Sequence, residues 1–190
     1  DNSNKQPQNT HTYLETHGDY RMRELDKSDL EQFNALLAYA FQVTSYELLQ
    51  TGWEEDEFKY AKRPILEEAY VLGWFYKDRL ASMIVVYSMK VNIHDNIMDM
   101  GGITGVATYP EYTGRGLIHS LMRRAINYMH EQDFSISFLC PYSIPFYRKM
   151  GWEIVSDKIT FTIKDTQLPK PRPVEGMVER VSLDSEDYHN

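Results

Sequence analysis

A chain of 190 residues can bury a sizeable core, and 42% hydrophobic with 13% aromatic content excludes a disordered polymer. The formal net charge of -8, from 28 acidic against 20 basic residues, argues against a nucleic-acid surface. The single cysteine, Cys140, excludes an intrachain disulfide framework and a cysteine-rich zinc site. No apolar run nears the roughly 20 residues that span a bilayer, so a cytoplasmic protein without metal or membrane partner is expected.

In chain order, residues 1–18 are polar and are expected to form a flexible N-terminal tail. Tyr20 to Leu25 alternates as a first strand. Ser28-Asp29-Leu30-Glu31 reads as a capping box that opens a helix with Leu30, Phe33, Leu36, Leu37, Ala40 and Phe41 at helical spacing. A second, acidic helical stretch from Glu54 to Glu68 is interrupted by Pro64. Three strands follow: Ala69 to Tyr76, Leu80 to Ile93 and Ile97 to Tyr109, joined by turns at Lys77-Asp78 and His94-Asp95-Asn96.

A helix from Gly116 to Glu131, a short strand from Ser135 to Leu139 and a short helix from Ser143 to Met150 come next. A final hairpin is expected from Trp152 to Ser156 and Ile159 to Ile163. The order β-α-α-β-β-β-α-β-α-β-β defines an α/β (α+β) domain over 19–165, with a mixed sheet flanked by helices. A Pro-rich linker occupies 166–176. Residues 177–190 repeat the opening pattern of the chain, a strand followed by a helix cap, and read as the start of a truncated second domain.

Chemistry concentrates between Gly105 and Ile118. A β-branched segment runs into Pro110, then into Gly114-Arg115-Gly116, then into an amphipathic helix. That order delivers free backbone N–H groups and the positive end of a helix dipole to one point, which suits a diphosphate. Arg115 and His119 can add charge, although a surface helix position explains His119 equally. The spacing is neither the Rossmann fingerprint nor a P-loop.

The segment Gly105 to Arg124 resembles motif A of the GNAT N-acetyltransferase superfamily. Cys140-Pro141-Tyr142-Ser143-Ile144-Pro145-Phe146-Tyr147-Arg148-Lys149-Met150-Gly151-Trp152 resembles its motif B. Within the superfamily the chain is most similar to the enhanced-intracellular-survival (Eis-like) enzymes, which carry two tandem acetyltransferase domains and a sterol-carrier-like domain. The resemblance implies a mostly antiparallel sheet and acetyl-CoA as cosubstrate. It also implies transfer of acetyl to a primary amine, such as an aminoglycoside-like polyamine or a lysine, and a homo-oligomeric full-length protein.

It further implies roles for named residues. Val106, Ala107 and Thr108 pair their backbone with the pantetheine arm, and Gly114, Arg115, Gly116, Leu117, Ile118 and His119 cradle the diphosphate. Tyr142 and Ser143 flank the cofactor, and Tyr147 is the general acid toward the departing thiolate. Phe41 and Trp53 fall where the family builds its acceptor pocket, or are core aromatics. The run Glu54-Glu55-Asp56-Glu57 is a solvated helix start or an attractor for a cationic acceptor. Cys140 reads as a buried small hydrophobe. Two departures, Glu111 in place of Gln or Arg and Gly114 in place of a basic residue, keep a second reading open: a degenerate domain that binds CoA or a partner without catalysis.

Overall fold

The computed structural model describes residues 11–42, 63–157, 159–170 and 176. The chain forms two compact units that part between Glu153 and Ile154.

The first unit is built on one six-stranded sheet in the order β1-β2-β3-β4-β5-β6. The strands are β1 (Glu15–His17), β2 (Tyr20–Glu24), β3 (Tyr70–Tyr76), β4 (Arg79–Ile93), β5 (Asn96–Thr108) and β6 (Ile136–Leu139). Neighbours are antiparallel except β5 and β6, which run parallel. Its helices among the described residues are α1 (Leu30–Phe41), α2 (Arg63–Glu68), α3 (Leu117–Glu131) and α4 (Ile144–Arg148). β1 corrects the expectation of a flexible tail: Glu15 to His17 pair with Met22 to Tyr20 around Gly18, whose φ of +57° forms the turn.

Helices cover both faces of the sheet. Phe33 and Leu36 of α1 and Leu66 of α2 pack with Val71, Phe75 and Val85 on one face. Leu121, Met122 and Ala125 of α3 pack with Leu72, Trp74 and Ile84 on the other. β3 is buried from Val71 to Phe75 without a break because both faces are covered, so its sequence is an apolar run and not an alternation.

The start of α1 corrects the predicted cap. The box is made one turn earlier, by Asp26 and Asp29 around a 3-10 turn at Lys27–Asp29. Asp26 Oδ1 accepts from the Ser28 amide at 2.8 Å, and Asp29 Oδ2 accepts from the Asp26 amide at 3.0 Å. Asp29 also takes a bidentate ion pair from Arg23, at 2.6 and 2.8 Å, with both side chains buried. The guanidinium lies 3.8 Å from the Phe75 ring centre, so its apolar face is covered as well. Ser28 could not win the cap, because Asp29 is the carboxylate that the buried arginine requires.

In the second unit, the final hairpin does not form among the described residues: 154–157 and 159–164 carry no strand pairing, and the one regular element is a 3-10 turn at Asp165–Gln167. Val155, Ile159 and Phe161 are all exposed. The alternating pattern is present, but a strand needs a partner's hydrogen bonds as well as a pattern.

Candidate functional site

Two devices in β5 open the sheet. The first is a bulge: Met83 pairs with Ala107 and Val85 with Thr104, so Ile84 faces two residues, Gly105 and Val106. Gly105 sits at φ +57°, and a Cβ there would lie 2.8 Å from Val85 Cγ2, so only glycine meets both demands. The second is the short reach of β6, which pairs with β5 from Met100 to Ile103 and no further. Beyond Ile103 the outer edge of β5 has no strand partner among the described residues.

Backbone direction along that edge follows from the ladder. The Tyr109 amide donates to Ala81 O at 3.0 Å, and Ala107 O accepts from Ser82 Oγ at 3.1 Å. Alternation therefore turns the amides and carbonyls of Val106 and Thr108 to the open side and those of Ala107 to β4. Of the three strand residues expected to meet a pantetheine arm, Ala107 lies inside the sheet. Thr108 is braced from behind, its Oγ1 2.7 Å from the buried Ser82 Oγ.

β5 feeds through a 3-10 turn, Pro110–Tyr112, into the glycine loop and α3. Gly114 and Gly116 lie at φ +74° and +75°, in the left-handed region, and a Cβ at either would meet nothing within 4 Å. Their backbone requires glycine and their surroundings stay open, which explains why Gly114 stands where a basic residue was anticipated. Gly116 caps α3 without any side-chain hydrogen bond, and no acidic residue stands in the first turn. The amides of Leu117, Ile118 and His119 thus have no partner within the helix. Leu117 is buried and Ile118 packs on the core, so both offer amides alone; Arg115 and His119 are exposed. Glu111 is exposed. The Tyr109 phenol is pushed up first by burial and, against the pull of Arg79, by Glu111, and Tyr109 packs on the α1 face.

Residues that the sequence reading missed hold α3 in place. The Trp74 indole N–H donates to Ser120 Oγ at 2.7 Å, and Ser120 Oγ donates to Leu117 O at 2.9 Å. A groove of about 400 Å³ leads away from Gly116 along α3, lined by His119, Ser120, Arg123 and Asn127 with Met150 opposite. Helical spacing from Gly116 places these polar residues in one stripe, a signal that was available in the sequence. A wider cleft of about 820 Å³, lined by His11, Glu24, Asp26 and Lys27 among others, shares no residue with the strand edge, cradle or phenol. Size therefore does not choose the site.

Tyr147 is carried by α4, whose Pro145 sits in the first turn. It is 4% exposed and belongs to the same core cluster against which Val106 packs. Its phenol is pushed up to about 12, chiefly by burial and further by Tyr142 and Cys140. Tyr142 and Phe146 meet its ring edge-on at 5.7 and 5.1 Å. Tyr142 itself is exposed, Ser143 precedes α4 as its cap residue, and Cys140 is exposed, not the buried hydrophobe expected. Phe41 is exposed at the end of α1. Trp53 and the run 54–57 lie outside the described residues. Among those residues, no cluster of three His, Cys, Asp or Glu is placed to hold a metal, and no helix is long and apolar enough to cross a membrane.

Comparison with known proteins agrees with this geometry. The profile of the acetyltransferase (GNAT) domain matches residues 21–155, and the chain belongs to that family. A conserved protein of unknown function from Enterococcus faecalis, described as a probable N-acyltransferase, is 28% identical at a TM-score of 0.62, over 70% of this chain and 32% of its own. A GCN5-related N-acetyltransferase from Kribbella flavida is 21% identical at a TM-score of 0.59, over 70% and 32%. A predicted acetyltransferase with acetyl-CoA from Clostridium acetobutylicum is 16% identical at 0.59, over 75% and 96%. The last two show the fold alone, and the chain spans about a third of the length of the Enterococcus and Kribbella structures. No curated protein matches significantly.

Proposed function

We propose that this domain transfers an acetyl group from acetyl-CoA to a primary amine. One observation carries the reading: an open strand edge, an uncapped glycine-cradled helix start and a buried phenol occur on one sheet. The Val106 and Thr108 backbone matches an amide-bearing pantetheine arm, the amides from Gly114 to His119 match a diphosphate, and the α3 groove with Arg123 and Asn127 matches the nucleotide end. Bound acetyl-CoA would supply a thioester: the nitrogen of an uncharged amine bonds to its carbonyl carbon, the carbon–sulfur bond breaks, and the proton shed by the nitrogen passes to solvent, leaving an amide and a thiolate. An amide of the open edge is the donor for the developing oxyanion.

Tyr147 is the donor toward the departing sulfur. A phenol near 12 cannot hand its proton outright to a thiolate in the ordinary range of about 8.5, so its contribution is a hydrogen bond that strengthens as the sulfur gains charge. It stays protonated across the whole working pH range. The Eis-like assignment and a cationic acceptor, an aminoglycoside-like polyamine or a lysine, belong to the same proposal; the net charge of -8 supports a cationic partner.

The test is acetyl-CoA-dependent thiol release with an amine panel, beside calorimetric titration of acetyl-CoA. Amine-dependent release is expected. Binding without release from any amine would favour the non-catalytic alternative, and absence of binding would overturn both readings.

A further inference from the structure

We infer that Tyr112, seated on Tyr20 and Tyr76, is the positioning residue that holds the glycine loop in its phosphate-ready shape, and that Arg115 rests on the same ring cluster. This rests on the function proposed above. From Pro110 to Gly116, Tyr112 alone is not fully exposed. Gly114 and Gly116 have no side chains with which to pack, and the space around their α-carbons is empty. Internal bonds stiffen the turn before them: the Tyr112 amide donates to Tyr109 O at 3.0 Å, and Thr113 Oγ1 donates to Pro110 O at 2.8 Å. Those bonds shape the turn but tie it to nothing else. The Tyr112 ring does that, with its centroid 6.2 Å from Tyr20, edge-on, and 5.9 Å from Tyr76, while Tyr20 and Tyr76 lie 5.0 Å apart.

The three rings come from β2, β3 and the turn after β5, so they join the loop to strands far from it in sequence. The Arg115 guanidinium carbon is 6.0 Å from the Tyr20 centroid, and Lys77 Nζ is 5.5 Å from that of Tyr76. Neither cation has a carboxylate partner among the described residues. Arg115 is thus kept beside the cradle as an unpaired cation, where a carboxylate partner would have neutralised it. Two left-handed glycines in an exposed loop cost much backbone entropy to order, and an aromatic seat meets that cost before the ligand arrives.

The experiment uses the 190-residue chain and follows two readouts. Trypsin cleavage at the Arg115–Gly116 bond, read by mass spectrometry, reports the order of the loop; titration with acetyl-CoA reports the cradle. Tyr112→Ala is expected to speed that cleavage and weaken acetyl-CoA binding, each by about tenfold, the size of losing two ring contacts. The KM for acetyl-CoA rises while kcat at saturation holds. Tyr112→Phe, which keeps the ring, restores both. Should Tyr112→Ala fail to fold, Tyr20→Leu removes one wall of the seat and is expected to act in the same direction.

Unchanged cleavage and unchanged binding in the folded variants would overturn the inference. Faster cleavage with unchanged binding would also overturn it, because the loop would then need no preset shape. A wild-type chain that does not bind acetyl-CoA would instead overturn the proposed function, and the role of Tyr112 toward the ligand with it.

Discussion

Two helices in this domain begin in opposite ways. In the 3-10 turn that leads into α1, Asp26 accepts from the Ser28 amide and Asp29 from the Asp26 amide, and Arg23 holds Asp29 with two buried bonds. At α3, Gly116 offers no side chain, and the amides of Leu117, Ile118 and His119 stay unclaimed. The same backbone need is met from within at one end and left open at the other. A start that is satisfied internally serves stability. A start left bare and held in place from outside, by Trp74 through Ser120 and by the Tyr112 seat, offers its donors to a ligand.

The comparison can be broken most severely at α1. Asp29→Ala leaves a buried guanidinium without its anion and opens the capping box of the 3-10 turn before α1, and is expected to cost about 3–5 kcal/mol, seen as a lower urea midpoint. Acetyl-CoA affinity measured well below that midpoint is expected to hold. On the open side, Tyr147→Phe removes the proposed donor to the leaving sulfur. Its kcat is expected to fall about 10²–10³-fold with the calorimetric affinity for acetyl-CoA preserved.

The same phenol gives a pH signature. Its folded value of about 12 lies above the ordinary 10, so the stability it contributes is complete below pH 10 and is lost as the pH rises through 12. Unfolding free energy should drop on the order of 2 kcal/mol across that window, and Tyr147→Phe should shallow the drop. The smallest expected change sharpens the contrast directly. Gly116→Asp places at α3 the residue type found ahead of α1, and should cost about 1–2 kcal/mol of stability, because an L residue at φ +75° is strained. It should nonetheless weaken acetyl-CoA binding about tenfold or more, because a carboxylate then stands where the diphosphate belongs.

Much of this was legible in the residues. The 3.6-residue spacing of α1 and α3, the turns at Lys77-Asp78 and His94-Asp95, and the strand–Pro–glycine–helix order are local patterns, and they form where they were read. Three readings failed for one shared reason. The cap moved from Ser28 to Asp26 because Arg23, on another element, recruits Asp29. β1 exists because β2 offers it an edge, and the alternating residues after Trp152 form no strand among the described residues.

The site divides along the same line. Order along the chain was enough to propose Gly114 to His119 and Tyr147 as site residues, since glycines before a helix and a motif around one tyrosine are contiguous. Nothing local says that Ala107 turns its carbonyl to Ser82, or that Tyr20, Tyr76 and Tyr112 meet. With 14 tyrosines in the chain, ring contacts cannot be assigned from spacing. Residue identity alone determined that the loop before α3 can turn left-handed at Gly114 and Gly116 and brings no side-chain cap at Gly116, because glycine's φ freedom and its missing side chain are local properties. Which edge stays open, which ring seats the loop and how far burial lifts the Tyr147 phenol were decided only by tertiary structure, because each depends on groups brought together across the sheet.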